Sequence, residues 1–290
     1  MRRNTQCILA LLFLICSYAC ENKSYPQLFA VVDSLTNVNP DSAIVLLRSM
    51  EHSMESASKA TQMYYQLLCI KANDKAYIGH TSDSLIVPVL HYYIEKKDKR
   101  HLPEVYYYTG RVYRDLGDAP QALDYFEKAT DAIEKDADYP LKSRICSQMG
   151  TLFMYQEMYT EASDKFKEAY QYDVLLKDSA GMVFDLRDIA GASRCMNDME
   201  ASLSYYQEAY DLASLLQHQR LMDIVQNQMA NLYIQLKQYD LAKKNLQPSL
   251  NNLHRTSKSA VYSIASKLYH QTGNIDSAPG QTHLIFEKVH

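Results

Sequence analysis

The 290-residue chain has no tryptophan and only eight glycines and eight prolines. So few breakers leave little room for a turn-rich β-fold and fit a chain that is nearly all helix. The glycines form no phosphate-cradling loop, and neither His-Glu-x-x-His nor Gly-x-Ser-x-Gly occurs. The nine histidines stand apart from one another. Beyond Cys20 the only cysteines are Cys69, Cys146 and Cys195, which make neither a disulfide framework nor a zinc spacing. Nothing here calls for a metal, a cofactor or a small-molecule substrate, and an enzyme is not the expectation. The formal net charge of −4 argues against nucleic acid as a partner. A hydrophobic content of 47% excludes a disordered chain.

The segment from Met1 to Ala19 differs in kind. Arg2 and Arg3 precede an apolar run from Ile8 to Ile15, then Ser17, Tyr18 and Ala19 lead to Cys20. This reads as an export signal, too short to remain as a spanning helix. Small Ala19 before Cys20 resembles the lipobox of bacterial lipoproteins, although Ser17 stands where that motif prefers leucine. The resemblance implies acylation of Cys20, residues 20–25 as a lipidated tether, and a place in the bacterial cell envelope, inner or outer membrane undetermined. The alternative is an ordinary secretory signal with an incidental cysteine. Removal of residues 1–19 takes two arginines and no acid from a chain with 30 basic and 34 acidic side chains, so the net charge becomes 28 − 34 = −6.

What the chain does have is a period. Gly110, Gly150, Ala190 and Ala230 recur at one fixed separation, as do Ala122, Ala162, Ser202 and Ala242. Phe126, Phe166, Tyr206 and Leu246 form a third column, and Ala129, Ala169, Ala209 and Ser249 a fourth. Small columns let two helices approach, and bulky columns fill the gap between them. The expectation is a repeat domain over 26–278, about six helix pairs strongest from 103 to 254, plus an unpaired last helix and an irregular tail at 279–290.

Gly110 with Tyr113, and Ala122 with Phe126 or Ala162 with Phe166, reproduce the Gly-x2-Tyr and Ala-x3-Phe spacings of the tetratricopeptide repeat (TPR), which the chain resembles over 26–278. Its period of about 40 exceeds the usual value of about 34, and Ser193, Ser202 and Leu246 depart from the consensus. The resemblance implies an all-α solenoid, a right-handed superhelix of antiparallel helix pairs with a concave binding face. The strings from Asn37 to Ala43, His80 to Ile86 and Tyr107 to Asp118 also resemble TPR lipoproteins of Bacteroidota. That likeness implies a non-enzymatic scaffold binding a protein or peptide, as part of an envelope signalling system. The alternative is an accessory lipoprotein of outer-membrane assembly or nutrient uptake.

In such repeats the first helix of each pair lines the groove. Counting from the small-residue column places Tyr107, Arg111, Arg114, Arg144, Phe184, Arg187, Arg194, Asn227 and Asn231 there, with Tyr155 beside them. Five of the chain's 11 arginines fall in this set, in an otherwise acidic protein. Arginine presents a planar fork matched to carboxylates, so the expected ligand is an acidic extended segment. Asn227 and Asn231 would bracket its backbone, while Tyr107, Tyr155 and Phe184 give apolar contact. The competing reading is local pairing, Arg111 with Asp115 and Arg114 with Asp118, worth about 0.3–0.5 kcal/mol each. Tyr107 and Tyr205 are the tyrosines expected to face outward.

Overall fold

The computed structural model describes residues 25–134, 138–253 and 257–273. The export signal, Cys20 and the 279–290 tail lie outside the described residues. These form 13 α-helices and, among the described residues, no strand. The chain divides into two compact units, one ending at Ala132 and one beginning at Ile133. The first holds α1 (Tyr25–Val38), α2 (Pro40–Met54), α3 (Lys59–Lys75), α4 (Ile86–Lys96), α5 (Leu102–Asp115) and α6 (Ala119–Ala132). The second holds α7 (Tyr139–Tyr155), α8 (Tyr159–Leu176), α9 (Ser179–Cys195), α10 (Met199–Leu215), α11 (Gln219–Gln235), α12 (Tyr239–Asn251) and α13 (Lys258–Thr272). Tyr25 is already helical, so α1 starts inside the segment read as tether; α4 begins at Ile86 rather than at Asp83.

The turns show a register that the side chains conceal. Tyr77, Gly117, Glu157, Asn197 and Lys237, spaced at the same period as the packing columns, all have φ between 58° and 81°. At Gly117 the N–H bonds the Arg114 carbonyl and the next N–H bonds the Tyr113 carbonyl, which is a Schellman closure of α5. The same pair of bonds recurs at Glu157, Asn197 and Lys237. Lys97, Lys177 and Gln217 close the intervening helices identically. At three of these turns the residue after the left-handed position caps the next helix: Asp118, Asp178 and Asp198 accept from the N–H groups of Gln121, Gly181 and Ala201. Two residues thus end one helix and cap another, which fixes tight antiparallel hairpins. The register reaches back to Tyr77, so α3 belongs to it, with Ile70 in the small-residue column.

Each unit has its own core. In the first, Phe29 and Val32 of α1 pack with Ala43, Leu47 and Met50 of α2 and with Leu68 and Ala72 of α3. Buried charge supplements this. Lys71 Nζ lies 2.6 Å from Asp33 Oδ1 and 2.7 Å from Glu104 Oε1, joining α1, α3 and α5. Burial alone would lower the Lys71 pKa, but Glu104 and Asp33 outweigh it and hold the ammonium above its ordinary value. Arg111 Nη2 contacts Asp74 Oδ1 at 2.5 Å, a charge contact without hydrogen-bond alignment. In the second unit, Leu186 and Ala190 of α9, Tyr206 and Ala209 of α10 and Val225 and Leu232 of α11 share one cluster. Ala230, Ile234, Ala242, Leu246 and Val261 continue it through α13.

Two outcomes are expected in urea unfolding. Lys177→Gly relieves a left-handed non-glycine residue and should raise stability by about 1 kcal/mol. Asp74→Ala strands the Arg111 guanidinium in a site where its side chain is 14% exposed, and should cost about 3 kcal/mol.

Candidate functional site

The first helix of a pair has two buried sides, one against its partner and one against the next first helix. A residue three before a small-column position lies on the same face one turn earlier. This corrects two expectations. Tyr107 is 3% exposed, not outward, and its ring packs on Tyr108 and Phe126 at centroid distances of 5.0 and 5.9 Å. Asn227 is 5% exposed with its Oδ1 unpartnered, so it is no bracket for a ligand backbone. Tyr205, the other tyrosine expected outside, is half-buried against Phe166 and Ile189.

The arginines do not form a free strip, and their partners differ from the i,i+4 pairs considered above. Arg111 reaches Asp74, not Asp115, and Arg114 takes the adjacent Asp115 at 2.7 Å rather than Asp118. The other face of Asp115 receives the His80 backbone N–H at 3.0 Å and its ring Nδ1 at 2.8 Å. Burial would raise the Asp115 pKa, but the Arg114 and His80 hydrogen bonds outweigh it and hold the carboxyl low. Arg144 donates through Nε to the Pro140 carbonyl. In the second unit Arg187 forks onto its neighbour Asp188 through two 2.8 Å bonds and lies 4.9 Å above the Phe184 ring.

Arg194 is different. Its Nη1 stands 3.5 Å from Gln235 Oε1 and its Nε is buried without a hydrogen-bond partner, while its charge pulls down the pKa of the neighbouring Tyr206 phenol against the larger push of burial. Both of these neighbours are neutral. Beside it opens a cleft of about 360 Å³, walled by Thr151, Met154 and Tyr155 of α7 and by Arg187, Asp188, Gly191 and Arg194 of α9, with Gln228 of α11 at its edge. Phe166 and Tyr206, from the second helices, form its floor. Gly191 is what opens it. A Cβ there would meet nothing nearer than the Tyr206 hydroxyl at 3.8 Å. Lys71, Arg111, Thr151 and Asn231 fill the equivalent position in other repeats. Tyr155 is 80% exposed and Phe184 38%, while Asn231 is half-buried on the same helix as Gln228.

Of the ten residues expected to bind, the cleft therefore brings together Tyr155, Arg187 and Arg194, with Phe184 stacked on one wall. Tyr107, Arg111 and Arg114 belong to the first unit. Asp188, Tyr206, Phe166 and Gln228 were not anticipated, while Gly191 and Met154 stand in the groove-lining columns one and four after the small residue without having been counted as ligands. The signal was present for Gly191, a lone glycine in a column of larger residues. No group of three or more His, Cys, Asp or Glu side chains among the described residues is placed to share a metal ion.

Residues 101–173 and 225–249 match family models described as tetratricopeptide repeat. Among solved structures, the apo form of RapI shares 14% identity at a TM-score of 0.69, covering 86% of this chain and 72% of its own. A Rap protein complexed with competence and sporulation factor gives 15% identity and a TM-score of 0.66, with the same coverage. PilF of Pseudomonas aeruginosa gives 14% and 0.56, over 79% of this chain and 91% of that one. At such identities the likeness is one of fold. No curated protein matches the sequence. The periodic hairpin register, the close approach at Gly110 and Gly150 and the two matched segments together identify tetratricopeptide repeats over residues 101–173 and 225–249, within an all-α TPR-like solenoid.

Proposed function

We propose that the chain is an interaction scaffold whose second unit captures an extended, carboxylate-bearing segment of a partner protein in the cleft at Gly191. The observation that carries this reading is the combination of an open position above an aromatic floor with an arginine whose partners are neutral. A carboxylate on Arg194 would add an ion pair where the guanidinium now has only neutral neighbours. Tyr155 and the Phe184–Arg187 stack offer flat contact area at low entropic cost. The fold neighbour solved with competence and sporulation factor supports ligand capture on this architecture, although it speaks for that protein alone.

Panning a displayed random-peptide library on the purified chain tests it. Enriched peptides should share an acidic residue and lose at least about tenfold in affinity with Arg194→Gln, the size of a hydrogen bond to a charged group. Gly191→Leu should abolish capture by filling the cleft, whereas Gly191→Ala should retain it. Capture unchanged by Gly191→Leu excludes the cleft.

The same reading takes the scaffold to be exported and held in the envelope by acylated Cys20, as one part of a signalling assembly. Export rests on the residues up to Ala19, and anchoring on the Ala19-Cys20 pair. No helix among the described residues is long and apolar enough to cross a membrane. Metabolic lipid labelling should mark the wild type and not Cys20→Ala. Label that persists in the variant removes the anchor.

A further inference from the structure

Two carboxyl groups stand where other repeats place apolar side chains. Asp185 of α9 occupies the column of Val105, Ile145 and Val225, and Asp173 of α8 that of Ile133, Ala213 and Leu253. They are 3% and 6% exposed. From α7, Ser143 stands close enough to Asp173 to pull its pKa down, and Ser147 Oγ donates to Asp185 Oδ1 at 3.4 Å. Gly181 makes the approach feasible, since a Cβ there would collide with Asp173 Oδ2. Asp185 Oδ2 is buried and has no hydrogen-bond partner. Two acceptors in contact need a donor between them. A proton on one of the pair supplies it.

We propose that Asp173 and Asp185 share a single proton, and that this O–H···O bond is a latch fastening α7, α8 and α9, the helices that carry most of the cleft. Lys165 of α8, which acts on Cys146, is held by Glu168 at 2.8 Å, and the groups acting on the pair itself are acidic or neutral. On α9 these are Asp178 at the helix cap and Asp188, which already holds Arg187. On α7 Cys146 and on α8 Tyr170 sense Asp185, and both are pushed up by burial first. Glu208 of α10 acts on Tyr170, and Asp223 of α11 accepts from Gln219. Burial, then the charge of Asp173 and its hydrogen bond, push Asp185 up to about 8, and Asp173 is raised as well.

The direction of the pH effect follows. An unfolded aspartate gives up its proton near about pH 3.9, whereas the folded pair keeps one up to about pH 8. The stabilisation is fully present below the unfolded value and disappears as pH rises through the folded one. Regulation of partner capture by this latch rests on the cleft reading above; the latch itself does not.

Urea unfolding between about pH 5 and 8 tests it without any ligand. The wild-type unfolding constant should rise with pH by up to about tenfold per unit. Asp173→Ala/Asp185→Val, which installs residues these columns carry elsewhere, should lack that component. Asp185→Asn keeps a donor to Asp173 and should lack it too. Infrared difference spectra of the wild type at neutral pH should show a protonated carboxyl stretch that Asp185→Asn removes. Amides 182–187 should lose exchange protection above about pH 8 relative to α13, once intrinsic base catalysis is subtracted. An equal pH slope in the double variant, or no protonated carboxyl in the wild type, overturns the latch. Either result leaves the peptide-panning outcome at Gly191 to stand or fall independently.

Discussion

A ring on the second helix of a hairpin occupies the space where a Cβ on the first would sit. At Gly150 a Cβ would come within 2.6 Å of Phe166, and at Gly110 within 2.6 Å of Phe126. The close approach sets how deeply the two helices interlock, and with it which columns are sealed from water. Where the pair is Ala190 and Tyr206, the ring is the same length plus a hydroxyl. That oxygen emerges one residue further along α9, under Gly191. The cleft is thus the hairpin packing rule with one ring extended and one side chain removed, and no insertion is needed to build it.

Much of the architecture was readable because packing columns are repetitive: deleting a Cβ or filling a gap recurs at a fixed separation, and the separation survives consensus failures at Ser193 and Leu246. The turn register was hidden because the backbone, not the side chain, repeats there. Only Gly117 announces a left-handed residue; Tyr77, Glu157 and Lys237 adopt a similar φ at a cost of about 1–2 kcal/mol each, compelled by the two closing hydrogen bonds. Tyr107 and Asn227 were misread because counting three back along a helix stays beside the buried face, from which the long Arg187 side chain reaches the cleft while Tyr107 and Asn227 do not reach water. A neighbour-exposure rule applied to Tyr106-Tyr107-Tyr108 fails when a helix is covered on two sides.

Charge pairing was legible in kind and not in detail. In the first unit Asp74 stands four after its small-column position and Arg111 one after the next, so a diagonal joins consecutive first helices. The corresponding diagonals in the second unit are Met154 with Gly191 and Arg194 with Asn231. Neither can form an ion pair. A sequence count of arginines near a groove cannot separate these cases, because the compensating acid comes from another repeat. The contrast between the diagonals explains why the described cleft lies in the second unit while the first helices of the first unit are tied together by ions.

The two units also place polar groups in the interior by opposite means. Lys71 is held by two carboxylates of opposite sign to itself, and Arg111 by Asp74, so each buried cation has its compensating charge in place. Two ionised aspartates at Asp173 and Asp185 would carry like charge with solvent too remote to screen it, so the repulsion is relieved by retaining one proton rather than by recruiting a cation. The carboxyl pair costs more than the apolar residues that neighbouring repeats use in the same columns. What the carboxyl pair adds, and an aliphatic pair would not, is a hydrogen bond whose existence depends on a titrating group. A repeat array couples each hairpin chiefly to its neighbours, so such dependence is felt first in α7 to α9, where the floor and walls of the cleft are made.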